Sequence, residues 1–320
     1  MPSTRRLLLA LPLALPGLAL AQDQPIRLIV NGTPGSATDL LMRTLGEGLS
    51  RRLGRPVIAD NRAGAGGFAS ALAARGAPAD GSVLIQANIG VAALAPIVFR
   101  KPPIDPDREL LPVTHLTDTP FGLAVRPDAP GEGTLAGWLA AMRARQGAEV
   151  AVNSATGLPR FAVHLLASQT GQPFTPVIYR SSGAMLPDLE AGHVPAGMTI
   201  GAEFIQQHRA GTLRLLAQSQ ESDRWAAAPE VPRFNEQGVD FVGSAWNALF
   251  APPGTPPTVC EAMAHEVTEV LTERATQQRL LPLGLAPTGG TPEALAARIA
   301  ADRARWAPVI KASGFVADEP

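Results

Sequence analysis

Cysteine is nearly absent. Cys260 stands alone, so the chain can close no internal disulfide and offers no thiol cluster to zinc. Its neighbours read as helix, which suits a buried structural thiol. A basic excess is also missing, with 27 Lys and Arg against 28 Asp and Glu, and nothing in that balance points to nucleic acid. Beyond residue 21 no apolar run is long enough to span a bilayer. The histidines, His115, His164, His193, His208 and His265, form no H-x-x-x-H or H-x-H pair, so neither a metal nor a cofactor is expected. No G-x-S-x-G elbow occurs, which leaves a serine hydrolase without support. There is no low-complexity linker and no strong repeat.

The first 21 residues read as a leader. Arg5 and Arg6 precede the apolar run 7–21, which ends in Ala19-Leu20-Ala21, a small-x-small cleavage site. The predicted mature start is Gln22, in the periplasm. "TRRLLL" also fits a twin-arginine leader, a Sec leader being the commoner kind. Gln at position 22, where a lipoprotein has Cys, gives no lipid anchor.

The remaining chain alternates short apolar runs with helical periodicity. Strands are predicted at 26–31, 56–60, 83–88, 149–154, 176–180, 196–200 and 213–218. Leu41, Leu45, Leu49 and Leu53 recur at helical spacing, as do Leu135, Leu139 and Met142. This alternation predicts an α/β fold with mainly parallel sheets. Two long helices are predicted at about 256–274 and 291–312. The Pro-rich run 100–112 reads as a surface connector, and Asp105 and Asp107 within it as solvated turn residues. "NRAGAGGFASALAARG" (61–76) has the look of a dinucleotide fingerprint but has Ala69 where the last Gly belongs. A close helix–strand packing turn is the preferred reading.

One local design recurs: a loop of small polar residues after a strand, entering a helix, at 31–39, 87–93, 153–162 and 180–186. In a parallel sheet such loops lie at the C-terminal strand ends, where open α/β sheets bind ligands. Helix starts there offer unpaired N–H groups and a positive dipole end. Together they suggest an anion cleft, which could serve an enzyme's phosphate or a receptor's carboxylate.

The chain resembles the substrate-binding proteins of the tripartite tricarboxylate transporter family, the Bug receptors. The matching stretches are 24–67, 77–88, 177–194, 210–238 and 244–256, in collinear order, with "NRAGAGG" and the Trp246…"APPGTP" segment among them. The resemblance implies a type II periplasmic-binding-protein fold, two α/β domains around a ligand cleft. One domain would comprise 22–122 with 248–320, and the other 123–247. Carried over from the family, Thr33, Gly35, Ser36, Ala37 and Thr38 form the first carboxylate loop. Asn88 and Gly90 match the second loop, and Asn153, Ser154 and Thr156 the opposing one. Asp39 reads equally as a helix-start acid.

Three departures from the family pattern stand out. The first loop is Thr33-Pro34-Gly35-Ser36 rather than a double Pro-Gly run. Arg160 stands near a usual His. Pro195 and Thr199 replace two Asp that flank an apolar triplet. Arg160 and Thr199 therefore join the candidate ligand-binding residues and favour a carboxylate ligand without an amine. The implied function is a periplasmic solute receptor, not an enzyme, capturing a small carboxylate as a monomer and delivering it to membrane permease subunits or a sensor kinase. The alternatives are an extracytoplasmic enzyme or sensor-input protein on the same fold acting on an anionic small molecule, and a scaffold with a collapsed cleft.

Overall fold

The computed structural model describes residues 24–221 and 223–318, so the leader and its cleavage point lie outside the described residues. Ten strands appear in chain order: β1 (Ile26–Val30), β2 (Val57–Asn61), β3 (Val83–Asn88), β4 (Leu111–Val125), β5 (Ala148–Val152), β6 (Phe174–Ile178), β7 (Ala196–Ile200), β8 (Arg214–Gln218), β9 (Ser244–Ala251) and β10 (Ala286–Pro287). The seven strands expected from apolar runs all form, within a few residues of their predicted ends. The sheet order is β2-β1-β3-β9-β4-β7-β5-β6, with β8 and β10 also pairing to β4.

Parallel pairing holds at the two flanks. β1 pairs with β2 and β3, and β5 with β6 and β7. The centre is antiparallel, because β9 inserts between β3 and β4, and β4 pairs with β7 and β8. Neither central strand was expected. β4 carries Pro112, Thr114, His115, Thr117, Asp118 and Pro120, which break the apolar run that marks a buried strand. Local bulges absorb these residues, as the β4–β9 register shifts near Thr114 and again near Thr117.

β4 belongs to both halves of the molecule. Its residues 111–120 pair with β9, and from Phe121 onward it pairs with β7. Pro120 has no N–H to give. The next donor, the Phe121 N–H, leaves the ladder for the Ser219 hydroxyl (2.8 Å). The chain returns at Gly243 and Ser244, where β9 begins.

Helices cover both faces. Helix 37–53 buries Leu41, Leu45 and Leu49, and helix 257–272 buries Val267, Val270 and Cys260 in the same core. Burial pushes the Cys260 thiol pKa up, which keeps it protonated and inert. Helix 292–312 lies across the two halves, its Trp306 stacking edge-on to Phe121 at 6.0 Å. Beside it, Arg298 donates to Asp302 (2.8 Å) and Ser244 (2.8 Å), and Trp246 Nε1 donates to Asp302 (2.7 Å). Ser244 in turn donates to Asp118 (2.5 Å), so a polar cluster ties this helix to both crossing strands.

The connector 100–112 is not all coil. Pro106–Glu109 form one helical turn capped by Asp105; Asp107 is exposed, as expected, and there accepts two bonds from Arg303 (2.7 and 2.8 Å). "NRAGAGG" is a packing turn. Gly67 has φ 106°, and a Cβ there would lie 2.4 Å from the Asn31 side chain.

Candidate functional site

The strands aim their loops at a shared cavity of about 290 Å³ between the halves. From one half come Asn88 and Gly90, at the C-terminal end of β3. From the other come Asn153, Ser154 and Thr156, just after β5, and Thr199 in β7. Larger grooves lie beside His164 and Arg305, and along Arg43 and Glu47. Neither receives the C-terminal strand ends of both halves, where α/β sheets bind ligands.

Some polar groups at the cavity are held by their own chain, and others have no partner among the described residues. Asn88 Oδ1 accepts from the Val91 N–H (3.2 Å), opening a wide π-type turn over Gly90–Leu94. Such turns are frequent at functional sites. Asn153 Nδ2 donates to Ser182 (2.8 Å), and Ser154 Oγ accepts from the Gly157 N–H (3.0 Å) ahead of helix 158–170. The Ala155 and Thr156 N–H groups have no partner within the described residues. The Thr199 hydroxyl is fully buried and also unpartnered. An orphaned buried hydroxyl costs free energy unless something outside the chain bonds to it.

The first loop is built differently from expectation. The helix begins at Ala37, with Ser36 as its N-cap. The Gly35 N–H donates to Asp39 (2.9 Å), the Ser36 N–H to the Thr33 carbonyl (3.1 Å), and the Asp39 N–H to Ser36 Oγ (3.2 Å). Asp39 also accepts from Arg43 Nε (2.9 Å) and Asn61 Nδ2 (2.9 Å). The protein's own buried carboxylate thus sits where an outside one was expected. Burial raises the Asp39 pKa, but its hydrogen bonds from Arg43, Gly35 and Asn61 outweigh this and hold it below the usual value. The Thr33, Ala37 and Thr38 N–H groups of this loop have no partner among the described residues. Thr33, Gly35, Ser36, Ala37 and Thr38 lie outside the cavity lining, and Thr33, Gly35 and Ala37 are exposed.

Arg160 also stays outside the lining. Its guanidinium stacks on the Phe315 ring at 4.2 Å and donates to the Ala155 carbonyl (3.3 Å). Burial pushes its pKa down. The helical position was legible, but a distant aromatic partner at the end of the chain was not.

Sequence reasoning missed the apolar wall. Phe68, Leu94, Val98 and Phe99 line the cavity from one side, and Leu158 and Ile200 from the other. The signal was present in the run "VAALAPIVF" (91–99), which directly follows the Asn88 loop and reads as plain core.

Two α/β halves joined by shared strands, with a cleft between facing strand ends, define a bilobal solute-binding protein. The particular family follows from comparison with known proteins. The description "Tripartite tricarboxylate transporter family receptor" matches residues 41–315, and the chain belongs to that family. It is similar to Protein BugT of Bordetella pertussis, 31% identical over 294 residues that cover 91% of this chain and 90% of BugT. A solved R. palustris protein with adipate shares 28% identity at TM-score 0.78, over 91% of this chain and 98% of that one. MatC from Rhodopseudomonas palustris with bound malate shares 26% at TM-score 0.72, over 89% and 98%.

Proposed function

We propose that this receptor captures a small carboxylate in the cavity between its halves. The carrying observation is a cavity lined from both halves by neutral polar residues, among them Asn88, Asn153, Ser154, Thr156 and Thr199, the last with a buried hydroxyl that has no partner among the described residues. The relatives with adipate and malate support the same ligand chemistry. Asn88, Gly90, Asn153, Ser154, Thr156 and Thr199 make up the contact set. The first loop contributes from outside through Ala37 and Thr38, and Arg160 supports the wall without touching ligand.

The halves act as separate jaws, one built from 24–120 with 244–318 and the other from 121–243, so the hinge lies at the β4 partner switch and at the start of β9. This shifts both boundaries by a few residues from those expected. The mature protein is a periplasmic monomer starting at Gln22 and hands its ligand to membrane permease subunits. A sensor kinase is the second recipient. It is not an enzyme on this reading, which rests on the absence of any Asp, Glu, His, Lys or Arg among the residues lining the cavity, so no general base is at hand. Native mass spectrometry of freshly purified periplasmic protein tests the proposal. A bound carboxylate recovered unchanged is expected. A chemically altered product would favour the enzyme reading, and a Thr199→Val variant that binds the carboxylate as wild type does would remove that hydroxyl from the contact set.

A further inference from the structure

We infer that the ligand is a carboxylate with one charged end and a hydrocarbon body, not a polyanionic hydroxy acid. The inference rests on the receptor reading above and names the ligand class of that same cavity.

The cavity lining combines two kinds of residue. Its polar side chains are all neutral, those of Asn88, Asn153, Ser154, Thr156 and Thr199. Neutral donors can hold a carboxylate but offer it no counter-charge. Its large apolar side chains are Phe68, Leu94, Val98, Phe99, Leu158 and Ile200. Phe68 and Phe99 meet edge to face at 5.6 Å and make a rigid wall. Among the described residues no ionisable side chain lines the cavity. Arg160, next to the lining Pro159, is held on Phe315.

Charge and area then act in the same direction. A second or third carboxylate placed against this wall would lose its water and gain no counter-charge, which is costly for a buried ion. A hydrocarbon body placed there gains by leaving water, in proportion to the apolar area covered. Size agrees as well. The cavity of about 290 Å³ corresponds to roughly ten water molecules of liquid volume, room for a ligand of about that many non-hydrogen atoms. Six-carbon fatty acids and simple aromatic acids fit this description.

Calorimetry on the mature protein with hexanoate, benzoate, malate and citrate tests the inference. Hexanoate or benzoate should bind at least roughly tenfold tighter than malate and citrate, the discrimination that a single hydrocarbon group can supply in an apolar pocket. Malate or citrate binding as tightly or more tightly overturns the inference and leaves the receptor reading standing. Binding by none of the four overturns both. Two variants separate the polar groups from the apolar wall. Leu158→Ala should weaken hexanoate about tenfold and leave malate within about twofold. Thr199→Val should weaken both acids alike. Equal losses for both acids in Leu158→Ala would overturn the inference.

Discussion

Thr199 carries a buried hydroxyl with no partner among the described residues, which is a folding cost. Thr199→Val, of nearly the same shape, should therefore leave the unliganded fold as stable or more stable by up to about 1–3 kcal/mol. Carboxylate affinity should fall at the same time by about 1 kcal/mol or more, roughly fivefold or greater. Thermal unfolding and calorimetry on one preparation check both. A variant that loses stability and keeps its affinity would place the hydroxyl in the fold rather than the site. Asp39 is the opposite case, a polar group fully used by its own chain. Asp39→Asn should cost about 1–3 kcal/mol by weakening its charge-assisted bonds from Arg43 and Gly35. The folded pKa lies below the unfolded value near 3.8. The Asp39 contribution is therefore complete above that value and is lost as pH falls through the lower folded pKa. Denaturant midpoints of wild type and variant should differ at pH 6 and converge toward pH 2. Gly35 has φ 83°, which a β-branched residue adopts only under strain. Gly35→Val would thus distort the loop, whereas Gly35→Asn should be tolerated.

At the scale of elements, what could be read in the sequence followed its apolar continuity. β1, β3 and β7 are buried along nearly their whole length and announced themselves as short hydrophobic runs. The helices 37–53 and 292–312 announced themselves by period and caps, Ser36 and Thr291 each accepting an N–H of the first turn. β4 was silent because its polar residues are satisfied by partners far along the chain, such as Thr114 by Gly290 and Asp118 by Ser244. Those partners are fixed only once the fold exists. The same limit hid the cavity: Asn88, Asn153 and Thr199 were found by their loops and family pattern, but the wall of Phe68 and Phe99 looked like ordinary core. Gly67 gives an element-scale test. Any side chain there meets Asn31 and Val91 and must adopt φ 106°. Gly67→Ala should destabilise by more than about 1 kcal/mol and tilt the turn that carries Gly66 at the cavity. Chemical denaturation measures the first effect, and ligand titration the second.

For the whole molecule, the proposed jaws would turn about the two crossings at 120–121 and 243–244. Closure on ligand is favoured by whatever extra affinity the closed form has. Small-angle scattering should show a smaller radius of gyration with a saturating ligand, and an unchanged one would mean a cleft that is already shut. The polar cluster of Asp118, Ser244, Arg298 and Asp302 lies beside those crossings, so Arg298→Ala should alter the extent of closure as well as stability.

The single strand β4 has a consequence for how the protein comes apart. Its 15 residues serve β9 and β10 at one end and β7 and β8 at the other, so each half borrows its central strand from the same stretch of chain. Jaws that move apart in function should therefore unravel together. Native-state deuterium labelling should find the amides of Val113–Leu123 among the slowest to exchange, opening with one common free energy in both halves. For the same reason residues 123–247 expressed alone would lose Phe121 and Gly122 from the short stretch of β4 that β7 and β8 flank, and should be markedly less stable than the same segment within the full chain.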